Sequence, residues 1–127
     1  MADEITINVT IDIKKGNFKL SLRPGTITPD FAGTYVTEQV QNINTSTYEA
    51  IGTGDATSGG YSFFYNISTA ATTTPTINIA QATGAATSYV FAKLLPGEYA
   101  MFRNNNVAMA VLAVGATAAL HYGVFDP

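Results

Sequence analysis

Residues 5–13 alternate without an error: Ile5, Ile7, Val9, Ile11 and Ile13 against Thr6, Asn8, Thr10 and Asp12. A period of two places successive side chains on opposite faces of an extended chain, whereas a helix repeats its faces every 3.6 residues. The run is therefore a strand with one aliphatic and one polar face. Lys14-Lys15-Gly16-Asn17 supplies a turn, with Gly and Asn where positive φ is cheap. Phe18, Leu20 and Leu22 then resume the alternation until Arg23-Pro24-Gly25. Residues 4–22 are predicted to form an N-terminal β-hairpin.

The rest of the chain is read in the same terms. Pro29, Asp30 and Gly33 mark a crossing loop, and strands are expected at Tyr35 to Val40 and Ser46 to Ile51. Glycines between 52 and 60 break the chain twice. Tyr61, Phe63, Tyr65 and Ile67 form an aromatic strand whose shared parity predicts a core-facing row. Further strands are expected at Thr76 to Ala80, Tyr89 to Leu95, Glu98 to Arg103, Val107 to Val114 and Ala118 to Phe125. Turn signals recur roughly every 8–12 residues, and no segment shows a helical period. The predicted fold is all-β: one antiparallel β-sandwich or jelly roll of about eight to ten strands, filling residues 1–127 as a single domain.

Composition narrows the class of partner. Charged residues make up 12% of the chain, against roughly a quarter in ordinary soluble proteins. Charge keeps monomers apart, so a surface poor in it fits a protein whose outside is covered by partners. The net charge of −3 argues against nucleic-acid binding. Lys14, Lys15, Lys19 and Arg23 cluster around one turn, as a solvated hairpin end does more often than an anion site. The only membrane candidate, Val107 to Phe125, is rich in Ala and is interrupted by Gly115, Thr117, His121 and Gly123. It reads as two buried strands around a Gly-Ala-Thr turn. The acidic Met1-Ala2-Asp3-Glu4 start carries no secretory signal, so synthesis in a cytoplasm is expected.

The chain offers little for catalysis. It has no Cys and a single His, His121, on the strand face opposite Leu120, Tyr122 and Val124. A nucleophile needs a base beside it, hard-ion loops need clustered carboxylates, and here the acids are scattered. A pairing of Glu49 with Glu98 through the fold has nothing in the sequence to favour it. The glycine-rich loop ends in Gly-Gly-Tyr and opens a strand, unlike a phosphate-binding loop. No enzyme activity, cofactor or metal is expected.

Two segments carry a resemblance. Gly59-Gly60-Tyr61-Ser62-Phe63-Phe64-Tyr65-Asn66-Ile67 ends in a Phe-x-Asn-Ile step, and Leu94-Leu95-Pro96-Gly97-Glu98-Tyr99-Ala100 follows about 30 residues on. Together with the Glu4-Ile5-Thr6-Ile7 opening and the Gly16-Asn17-Phe18 turn, they are similar to a family of small virion structural proteins of tailed bacteriophages. The Pro-Gly-Glu segment is the distinctive part. The resemblance implies a β-sandwich or jelly roll without cofactor, assembled symmetrically on the particle. The favoured expectation is a subunit that decorates or cements the outer capsid surface on the major capsid protein, as a homotrimer expected from the low charge and small size of the domain. A tail or head-fibre component, or a carbohydrate-binding module for host attachment, is the alternative.

The N-terminal strand is the candidate assembly element. Spanning roughly 33 Å from Glu4 to Ile13, it gains from side-chain burial about what its backbone loses in freedom. It must pair along its length, either as an edge of its own sandwich or by strand addition to a neighbour or the shell. Ile5, Ile7, Val9, Ile11, Ile13, Lys14, Lys15, Lys19 and Arg23 are the interface candidates.

Overall fold

A computed structural model describes residues 6–28, 35–52, 60–69, 74–82, 88–104 and 108–125. The described residues hold ten strands and no helix: β1 (Ile7–Lys15), β2 (Phe18–Ile27), β3 (Val36–Ile43), β4 (Glu49–Ala50), β5 (Tyr61–Asn66), β6 (Thr76–Ala82), β7 (Ser88–Leu94), β8 (Tyr99–Arg103), β9 (Met109–Val114) and β10 (Ala118–Phe125). All pairings are antiparallel. The chain divides into two compact units, Met1–Ala32 and Gly33–Pro127.

The first unit contains the β1–β2 hairpin, a sheet of these two strands alone. Arg23-Pro24-Gly25 does not end β2 as the sequence predicts; the strand runs on to Ile27. Val9 pairs with Gly25 but Ile11 pairs with Leu22, so β2 carries one residue more than β1 at this point. Such a bulge accommodates Pro24, which has no N–H to give to the ladder. Gly25 takes φ 91° beside it, a value that a side chain would strain. Among the described residues the N-terminal strand thus pairs with β2 alone.

The second unit is a β-sandwich of two four-stranded sheets, β3-β10-β5-β8 and β4-β9-β6-β7. Ile43, Phe64, Leu120, Tyr122 and Val124 from the first sheet meet Ile77, Ile79, Leu94, Val111 and Ala113 from the second in one core. Phe64 stacks on Phe102 at 5.7 Å, and Phe91 meets Phe102 edge-on at 5.4 Å, extending the packing toward β7 and β8. The Val107 to Phe125 region forms β9 and β10 around Gly115-Ala116-Thr117, one strand in each sheet. No described helix is long and apolar enough to cross a membrane.

Several predicted boundaries move. The strand expected at Ser46 to Ile51 contracts to Glu49–Ala50, because the Asn44 side-chain carbonyl accepts from the N–H groups of Ser46 and Thr47 and holds a turn there. Gln81 and Ala82 join β6 rather than a loop. Of the predicted crossing loop, Pro29, Asp30 and Gly33 lie outside the described residues, as do residues 53–59 of the glycine-rich stretch and residues 105–107 before β9.

The two segments behind the resemblance meet in space. Asn66 N–H donates to the Glu98 carbonyl at 3.0 Å, and Gly97 N–H to the Asn66 carbonyl at 2.8 Å. Leu95-Pro96-Gly97-Glu98 is a tight turn closed by Glu98 N–H on the Leu95 carbonyl, with Gly97 at φ 83°, which is the residue choice of a type II turn. The Glu98 carboxylate accepts from Leu95 N–H at 2.8 Å. The fully buried Asn66 amide donates to the carbonyls of Pro75 and Leu94. Asn66 therefore ties β5 to the second sheet, and Glu98 fastens the turn beside it.

Candidate functional site

Two surfaces combine exposure with chemistry. The first is the hairpin. Residues directly opposite in a ladder share a face, so Ile7 with Ile27, Ile11 with Leu22, Ile13 with Leu20, and Phe18 beside Lys15 form one apolar side. Ile11 (45%), Ile13 (43%), Phe18 (58%), Leu20 (39%), Leu22 (45%) and Ile27 (51%) remain exposed. Ile7 and Val9 are half-buried, and Ile5 lies outside the described residues. The opposite side carries Asn8, Asp12, Lys14, Lys19, Ser21 and Thr26, with Lys14 directly across from Lys19. Like charges in that position repel. Arg23 Nε donates to Ser21 Oγ at 3.3 Å. The candidate cations thus crowd the turn half of the hairpin with Asp12 as the acid among them.

The second surface is the outer face of the β3-β10-β5-β8 sheet. Here the prediction for the aromatic strand is overturned: Tyr61, Phe63 and Tyr65 point away from the core, and Ser62, Phe64 and Asn66 are buried. Register decides this. Leu120, Tyr122 and Val124 stand opposite Asn66, Phe64 and Ser62, whereas the other face of β10 would bury His121 and offer nothing at Gly123. The remaining positions are forced outward together: Glu38 and Phe63 flank Gly123, Val36 and Tyr61 flank Phe125, and Val40 and Tyr65 flank His121. Tyr99 sits opposite Tyr65 on β8.

These outward residues form a row with a cleft at one end. Phe63 is 6.5 Å from Tyr65 and 6.3 Å from Tyr99 between ring centroids, and His121 meets it edge-on at 6.0 Å. Arg103 lies 5.2 Å over the Tyr61 ring. Gly123, lacking a side chain, floors a cleft of about 240 Å³ walled by Val36, Phe63 and Phe125 and edged by Glu38 and His121. His121 Nε2 lies 2.6 Å from Glu38 Oε1. A carboxylate only accepts, so Nε2 carries the shared hydrogen.

The other acids are engaged elsewhere. Glu49 accepts from Gln41 and the Asn44 amide, while Glu98 serves its turn, so each has its own polar partners. Among the described residues no group of three His, Cys, Asp or Glu could hold a metal. Tyr122 is buried, and its hydroxyl donates to Gln39 Oε1 at 2.9 Å. Burial pushes that hydroxyl above its ordinary 10.0, against a smaller opposing effect of the Gly52 backbone.

His121 lies on the face that its parity predicts, but its partner Glu38 and its edge-on neighbour Phe63 are not foreseen from the sequence. The consecutive Phe63 and Phe64 were the available signal, since they require one aromatic on each face. No protein-family model and no curated protein matches this chain. What the fold defines is an all-β sandwich with an accompanying amphipathic hairpin.

Proposed function

We propose that the chain is a non-enzymatic virion structural protein that decorates or cements the outer surface of a tailed-phage capsid, as a homotrimer held on the major capsid protein. The observation that carries this reading is the exposed apolar face of the hairpin. A two-stranded hairpin is marginal in water unless a further layer covers its apolar side. Its large side chains are already about half covered, so complete burial would add roughly 1 kcal/mol for each. Six such residues make a contact that symmetry then repeats in every copy. The Lys14–Lys19 repulsion is relieved when the turn meets an acidic surface, which gives the shell-facing end a charge preference.

The resemblance through Phe64-x-Asn66-Ile67 and Pro96-Gly97-Glu98 supports the same class. These residues tie the β5 end to the β8 turn, so they speak for a shared framework and leave the contact residues to the hairpin. Copy number in purified particles is the discriminating measurement. A decorating subunit repeats with the shell lattice and is abundant, whereas a tail or head-fibre component is present in a handful of copies. Absence from purified particles would overturn the reading.

A further inference from the structure

We propose that the outer face of the β3-β10-β5-β8 sheet binds a saccharide chain, with the Gly123 cleft taking one sugar ring and the Phe63–Tyr65–Tyr99 row supporting its neighbours. This goes beyond the capsid reading and does not depend on it.

The lining selects the ligand class. A sugar ring has an apolar C–H face and a rim of hydroxyls, so it needs a flat aromatic support with acceptors at the edge. The cleft offers the rings of Phe63 and Phe125 as walls. Glu38 lies at its edge with a side chain 70% exposed, held in place by His121 and able to accept from hydroxyls. At about 240 Å³, the cleft is below the 300–1,000 Å³ usual for a whole small-molecule pocket, which fits one ring of a longer chain. The remaining support lies alongside: Tyr99 is 66% exposed, and its centroid is 6.3 Å from that of Phe63. From β3 to β8 the face spans three inter-strand spacings, about 14 Å. That is room for an oligomer.

Other ligands fit less well. A cation cage needs ring faces converging on one point, whereas Phe63 is tilted only 33° from Tyr99 and 50° from Tyr65 in an open row. A nucleic-acid strand would pair stacking rings with a cationic track. Here Arg103 is engaged over Tyr61, and Glu38 would repel phosphate. A metal would need more ligands than one carboxylate and one imidazole.

The test uses the full chain with calorimetry as the readout; the chain has no Trp and seven Tyr, so tyrosine fluorescence is followed alongside and assigned to the row by its loss in Tyr99→Ala. The probes are maltohexaose, cellohexaose, chitohexaose and lipid-free bacterial surface polysaccharide, with choline and N-acetyl-lysine amide as cationic controls. At least one saccharide is expected to bind. Phe63→Ala and Tyr99→Ala should each weaken it about tenfold or more, and Glu38→Gln about threefold. Tyr89→Ala, at a residue 64% exposed on the other sheet, should leave it unchanged. The exposed Tyr99 and Glu38 can be altered without touching the core, so their loss of binding is not a folding failure. The proposal is overturned if no saccharide binds, or if binding ignores Phe63 and Tyr99. It is equally overturned if only the cations bind, or if these substitutions dissociate an oligomer, which would make the face a subunit contact.

Discussion

The β1–β2 hairpin and the β5–β10 pair are built on the same period-two pattern, yet only the β5–β10 pair buries one of its two sides. In the hairpin, the aliphatic side formed by Ile11, Ile13, Leu20 and Leu22 stays exposed. In the sandwich, Leu120, Tyr122 and Val124 are buried, while the aromatic side of Tyr61, Phe63 and Tyr65 turns outward. Alternation assigns residues to a common face; whether that face is covered depends on whether a second layer exists to meet it. β10 has the second sheet beneath it. Within its own two-stranded sheet, β1 has none.

The contrast is broken most severely by truncation in the core. Phe64→Ala should cost about 3–5 kcal/mol, because it removes a fully buried ring and leaves a cavity. Leu20→Ala, at a similarly apolar position, should cost the unassembled chain less than about 1 kcal/mol. Urea unfolding of the two variants measures the difference. Equal losses would mean that the hairpin face is covered within the single chain.

Asn66→Ala comes next. Its amide serves two buried carbonyls, Leu94 at the end of β7 and Pro75 just before β6, and leaving them without a donor should cost about 2–4 kcal/mol. A loss below about 1 kcal/mol would show that Asn66 does not join the layers.

Tyr122→Phe is smaller near neutral pH, about 1 kcal/mol for the hydrogen bond to Gln39. Its sharper effect is on pH dependence. The folded hydroxyl keeps its proton where the unfolded one, near 10.0, loses it. Stability from this group is therefore full below pH 10 and falls as pH rises from there through the folded value. The Phe variant should lose less stability than the native chain over that alkaline window. Parallel losses in both would refute the burial effect.

Ser62→Ala should change stability by no more than about 0.5 kcal/mol, because the buried Ser62 Oγ has no hydrogen-bond partner to lose. A large loss would reveal a polar contact on the inner side of β5.

Much of this fold was legible from the sequence because strands announce themselves locally. Alternation located β1, β2, β5 and β10, and Pro96-Gly97 located the turn before β8. What the sequence could not settle was non-local. The outward placement of Phe63 follows from its pairing with Gly123 and from the inward set on β10, neither of which leaves a mark within residues 61–67. Glu38 reaches His121 across 83 residues of chain through the β3–β10 register. The continuation of β2 beyond Pro24 depended on a bulge opposite Val9 and Ile11, a feature of the pair rather than of either strand.

The proposed role requires that assembly cover the exposed aliphatic face of the hairpin. The most direct measurement is analytical ultracentrifugation of the native chain and an Ile11→Ser/Leu22→Ser variant, coupled to binding on particles stripped of this protein. These two residues face each other across the ladder, so the double change places polar groups at the centre of the apolar side and spares the sandwich core. The native chain should form trimers, free or on the particle, and saturate the particles. The variant should remain folded by circular dichroism, sediment as a monomer and fail to bind. A variant that associates and binds like the native chain, or a native chain that stays monomeric both free and bound, would contradict it.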